Sequence, residues 1–113
     1  MKELTDLEIC QRIAEIEGIK VRKCGGVICI LEATGSSLMK IPTTEYNPLT
    51  DDALCFKLMI KHRVICHWLW CENDGTEHYL SCITGEEECS YDKIPNRAIC
   101  LAIIESKEPK TDA

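Results

Sequence analysis

The stretch Arg63 to Gly85, RVICHWLWCENDGTEHYLSCITG, decides the fold. Two runs rich in β-branched and aromatic residues flank Asn73-Asp74-Gly75, whose glycine accepts the positive φ of a tight turn, so the stretch reads as a β-hairpin. From Val64 to Cys71 nearly every residue is apolar. A half-exposed strand would alternate apolar and polar residues, so this run predicts a central strand covered on both faces, with Trp68 and Trp70 in the core. Such a strand asks for helices on each side.

The hairpin also collects His67, Cys71, His78 and Cys82, residue types that ligate zinc. A two-residue Asp74-Gly75 turn would set His67 opposite Cys82 and Cys71 opposite His78. Even so, His67 and Cys71 would lie about 13 Å apart along an extended strand, too far for one tetrahedral ion. A three-residue turn would set Cys66 opposite Cys82 and dissolve the quartet. Either register favours packing over metal, and no metal site is expected.

Upstream lies Tyr46 to His62, YNPLTDDALCFKLMIKH. Pro48 fixes its own φ and drives Asn47 out of helical geometry, and Thr50 offers a side-chain oxygen to the free amides of the next turn. Asp51 and Asp52 suit the positive end of a helix dipole. The junction therefore launches a helix, with Thr50 as the expected N-cap and Ala53, Leu54, Phe56, Leu58 and Ile60 as a broad apolar surface. Because loop-to-helix junctions often carry function, Tyr46, Asn47, Asp51 and Asp52 are also the candidate binding residues.

Downstream, GEEECSYDK reads as an acidic loop, and Pro95 opens a last helix, PNRAICLAIIESK, capped by Asn96 or Asp92. Ala98, Ile99, Leu101, Ala102, Ile103 and Ile104 wrap most of its circumference and predict deep packing.

The amino-terminal part is more conventional. Thr5 and Glu8 form a capping box, Leu4 and Ile9 a hydrophobic staple, and Ile9, Ile13 and Ile16 an apolar stripe ended by Gly18. Ile19 to Ala33 alternates, turns at Gly25-Gly26 and reads as a second hairpin. Thr34 to Thr44 looks like a loop with at most a short edge segment from Met39 to Ile41, since Pro42 cannot donate to a ladder.

These elements predict an α+β fold: an antiparallel sheet with helices on both faces, a three-layer sandwich. Its 113 residues suit one domain, here residues 1–106 with a disordered tail over 107–113. A composition 45% hydrophobic and 28% charged, without a span-length apolar run or a signal-peptide pattern, predicts a soluble intracellular protein. The net charge of −6 argues against nucleic acid as a partner.

Nine cysteines stand out. In a reducing compartment disulfides are not expected, no Cys-x-x-Cys exists, and the thiols read mainly as small core residues. Cys24 follows Lys20, Arg22 and Lys23, cations that favour a thiolate, but no base or orienting group accompanies it. The phosphate-loop, dinucleotide, metalloprotease and nucleophile-elbow patterns are all missing. No catalytic residue or cofactor is therefore expected.

The same residues carry a resemblance. LTDLEICQRIAEIEGI, then YNPLTDDALCFKLMIKH, a central aromatic hairpin and the closing PNRAICLAIIES resemble the small accessory proteins of tailed bacteriophages called NinX-like, and the phage ABA sandwich domain. The resemblance spans Leu4 to Ser106. It implies a helix, sheet, helix sandwich and residence in the infected bacterial cytoplasm, and it carries no established activity. The expected function is a non-enzymatic interaction module acting on a host or phage macromolecule, with a host or phage protein or a second copy of the chain as the expected partner. The alternative is a small-ligand binder or cryptic enzyme with a pocket near Tyr46 to Asp52.

Overall fold

The computed structural model describes residues 4–33, 40–72, 75–85 and 89–107. They form three helices and two three-stranded antiparallel sheets, an α+β chain. Two compact units divide it, Met1–Asn47 and Pro48–Ala113. No helix among the described residues is long and apolar enough to cross a membrane.

The first unit opens with α1 (Asp6–Ile16), and its start is the capping box read from sequence. Glu8 N–H donates to Thr5 Oγ1 at 3.2 Å, and Thr5 N–H donates to Glu8 Oε1 at 3.0 Å. The helix ends in a Schellman motif: Gly18, at φ +71°, donates its N–H to Glu15 O, and Ile19 N–H reaches back to Ala14 O. Ile9, Cys10, Ile13 and Ala14 are buried, and α1 packs against the middle strand of the sheet β1 (Val21–Cys24), β2 (Val27–Ala33), β3 (Lys40–Glu45). Gly25, at φ +67°, makes the β1–β2 turn.

Strand β3 runs through Pro42 to Glu45, where a loop with a short edge segment was expected. Pro42 is tolerated because β3 is an edge strand, and the register slips between Cys29 and Leu31 to accommodate it. Residues 34–39 of the expected loop lie outside the described residues.

The second unit contains α2 (Asp52–Lys61), β4 (Val64–Cys71), β5 (Thr76–Ile83), β6 (Cys89–Asp92) and α3 (Pro95–Lys107), with sheet order β4-β5-β6. The central-strand expectation for β4 is corrected: β4 is an edge, and β5 is the middle strand. The acidic loop also hides a strand, β6. The β4–β5 register matches neither expectation. Cys71 pairs with Thr76 around a four-residue connection, so Ile65 faces Cys82, His67 faces Leu80, and the His/Cys quartet does not assemble.

Helix α3 is the core of this unit, with Ala98, Ile99, Cys100, Ala102, Ile103 and Ile104 buried. It packs against all three strands. Ser90 Oγ donates to Glu105 at 3.1 Å, and Arg97 Nη1 bonds Asp92 Oδ2 at 2.6 Å, which places α3 on the face shared by Ser81, Ser90 and Asp92. Asp92 also accepts from Ile94 N–H at 2.9 Å. Asn96 is the second residue of α3, not the residue before it, and donates to Leu49 O at 3.1 Å and Asp52 Oδ1 at 2.8 Å. Lys107 still belongs to α3, and residues 108–113 of the expected tail lie outside the described residues.

Two further expectations are corrected. The N-cap of α2 is Asp51, one residue beyond Thr50: its Oδ1 accepts Leu54 N–H at 3.1 Å, while its carbonyl accepts the first helical bond from Cys55. The thiols are not all reduced, because Cys82 and Cys89 form a disulfide. They sit directly opposite on β5 and β6, with Cα atoms 4.5 Å apart, so the strand register itself brings the sulfurs together.

Candidate functional site

Strand β4 alternates between two apolar faces, and its pairing with β5 assigns each residue. Val64, Cys66, Trp68 and Trp70 share the face on which Ser81 lies beneath α3. Ile65, His67 and Leu69 share the other face with Leu80 and Cys82. Helix α3 buries Ser81 and Val64 but not the two tryptophans: Trp68 is 56% and Trp70 54% exposed. On the opposite face Ile65, Leu69 and Tyr91 are exposed as well. The expectation that both faces of β4 are covered, with Trp68 and Trp70 in the core, is therefore corrected: these side chains lie at the surface.

This concentration of exposed large side chains on one strand is the unit's most distinctive surface feature. Scattered single apolar residues are normal on a protein surface, whereas here Trp68 and Trp70 stand two residues apart on one face of β4 and Ile65 and Leu69 flank His67 on the other. Tryptophan gives the largest contact area per side chain and is enriched at binding hot spots. Phe56 and Ile60, one turn apart on α2, are exposed too, because α2 buries the line through Cys55 and Leu58.

The four candidate residues from the junction divide between the units. In the first, Tyr46 is buried, its N–H bonded to Ile28 O at 2.8 Å. Asn47 accepts from the Cys10 thiol at 3.3 Å and donates to Glu45 at 3.1 Å. With Asp6, Cys10, Gly26 and Ile28 they line a half-open pocket of about 50 Å³. That admits a few water molecules and falls far below the roughly 300–1,000 Å³ of a small-molecule site. In the second unit, Asp51 caps α2 and Asp52 holds the Asn96 amide. The side chains of Asn47, Asp51 and Asp52 thus each have a structural task.

The thiols form local pairs. Cys24 faces Val27 across the first hairpin and sits diagonally from Cys29 on the same sheet face. Partial burial, a hydrogen bond with the Cys24 thiol and the negative charge of Glu45 push the Cys29 thiol upward and keep it protonated. Cys55, packed between α2 and α3, donates to Asn96 O at 3.8 Å. A hydrogen bond from the Cys100 thiol lowers its pKa against the opposing effects of burial and Asp52. Among the described residues no cluster of three or more His, Cys, Asp or Glu side chains has the geometry of a metal site.

No protein-family model matches the chain, and comparison with curated proteins and with solved structures finds no match.

Proposed function

We propose that the chain is a non-enzymatic interaction module, an accessory protein of a phage or prophage that binds a host or phage protein in the infected bacterial cytoplasm. The observation that carries the reading is the exposure of Trp68 and Trp70 on β4, a strand whose outer edge meets no other strand among the described residues. Binding there buries two indoles, side chains that give a large contact area and are enriched at binding hot spots. In the same reading the fold is a three-layer sandwich with helices on both faces of antiparallel sheet. Within each unit a helix packs on its own sheet, α1 on β2 in the first and α3 on β4, β5 and β6 in the second.

The test is affinity purification of the tagged protein from infected bacterial lysate, with mass spectrometry of proteins and small molecules retained. A stoichiometric protein partner that is lost when Trp68 and Trp70 are both changed to Ala is the expected result. A retained metabolite without a protein partner, or a partner indifferent to both substitutions, would overturn it.

A further inference from the structure

Each of the other edge strands carries a feature that discourages pairing with another chain. β1 carries Arg22 and Lys23, β3 carries Pro42 and a register slip, and β6 is only four residues long and ends at Asp92. Charges, proline, bulges and shortness are the usual means of blunting a sheet edge. β4 has none of them. Its eight residues, VICHWLWC, contain no Asp, Glu, Lys, Arg, Pro or Gly, and its pairing with β5 runs from Val64 to Cys71 without a slip.

The direction of its free backbone groups follows from the ladder. Thr84 N–H bonds Arg63 O at 3.0 Å, which makes that opposite pair a hydrogen-bonded one. The close Cα approach of Cys82 and Cys89, 4.5 Å, marks a non-hydrogen-bonded pair, so Cys82 turns its backbone groups toward β4 and Ile65. Alternation then turns Ile65, His67 and Leu69 toward β5. Val64, Cys66, Trp68 and Trp70 turn their N–H and C=O groups outward, and no described strand meets them.

We infer that β4 pairs antiparallel with β4 of a second copy of this chain, joining two three-stranded sheets into one of six strands. The inference rests on the reading of β4 as a binding strand and gives its backbone edge to a second copy, which leaves the exposed side chains on the faces of the sheet for the host or phage protein. With His67 on the two-fold axis, Cys66 faces the second copy's Trp68 and Val64 faces its Trp70. All four outward-facing residues of each copy are then matched, and the two His67 imidazoles on the axis are the basic side chains that face each other. In a chain of net charge −6, this strand is a place where two copies approach without repulsion between facing carboxylates. Trp68 and Trp70 on one face and Ile65 and Leu69 on the other are each more than a third exposed, and pairing sets Trp68 and Trp70 against the second copy's Cys66 and Val64, covering part of that surface. The paired backbone edges add to the covered area.

The test is the solution mass of the full chain by light scattering over a concentration series, with and without a thiol reductant. A dimer that forms without a disulfide between copies is expected, with Trp68→Lys raising its dissociation constant at least ten-fold and circular dichroism showing the variant folded. A second variant does not depend on weakening the edge: His67→Cys places two thiols across the axis at a close non-hydrogen-bonded pair, so mild oxidation should give a covalent dimer that wild type does not form. A wild-type monomer at every concentration, or a dimer indifferent to Trp68→Lys and refractory to the His67→Cys cross-link, overturns self-pairing. A monomer that holds an extended segment of another protein on β4 also overturns it while leaving the proposed function standing. Loss of that function instead requires the lysate experiment to fail.

Discussion

The two sheets have the same strand number and the same antiparallel meander, yet they are held in different ways. The first, β1 to β3, has blunted edges and a pair of free thiols, Cys24 and Cys29, on one face. The second, β4 to β6, has a disulfide between its middle strand and one edge, and an open apolar strand at the other. The first is finished as it stands, whereas the second closes one edge covalently and presents the other for recognition.

If each unit has its own core, equivalent deletions should hurt both. Ile13 in α1 and Ile103 in α3 are each fully buried, and each change to Ala should cost about 3 kcal/mol in urea unfolding. A loss below about 1 kcal/mol at either would show that this helix is not the support of its sheet. The covalent contrast is next. Replacing Cys82 and Cys89 together by Ser should cost about 2 kcal/mol, given the short loop the bridge closes, whereas the same change at Cys24 and Cys29 should cost about 0.5 kcal/mol. Equal effects would erase the distinction between stapled and unstapled sheets.

Helix caps allow a finer comparison. Thr5→Ala in the first unit and Asp51→Ala in the second should each lower stability by about 1 kcal/mol, while Thr50→Ala should change it by only a few tenths. The reverse ranking at positions 50 and 51 would move the start of α2. The smallest effect is kinetic. Because the Cys29 pKa is raised, less thiolate is present near pH 7, so alkylation by iodoacetamide should be slow there and accelerate only above the ordinary cysteine range. Rapid labelling of Cys29 at pH 7 would remove the thiol pair as a description of that face.

Much of the first unit was legible because its signals are local. A capping box and a terminal glycine fix α1 within a few residues of chain, and Gly25-Gly26 fixes the first hairpin. The second unit depends on facts that a short window does not contain. The apolar run of β4 fits equally a strand covered on both faces and an edge strand that keeps its faces for a partner, since hydrophobicity records what is to be buried and not by which molecule. The register of β4 on β5 depends on turn length: Cys71 pairs with Thr76, two residues away from His78, so His67, Cys71, His78 and Cys82 are not opposite one another. At the helix launcher, Thr50 and Asp51 are both good caps, and it is the Asp51 carboxylate that accepts the Leu54 N–H. The candidate residues Tyr46, Asn47, Asp51 and Asp52 were recognisable as a junction. Their tasks as buried anchor, thiol acceptor, cap and amide acceptor needed partners from elsewhere in the chain.

Asn96 reaches Leu49 and Asp52, partners 47 and 44 residues earlier in the chain. Between those partners lie α2 and the β4 to β6 meander, which can form from near-neighbour contacts. Closing the larger loop carries a greater entropic cost and becomes favourable once the intervening strands have shortened the path. During synthesis, the start of α2 therefore waits for a residue made long after it. The clasp can shut only when the first turn of α3 has been made, so the order of manufacture is written into one side-chain amide.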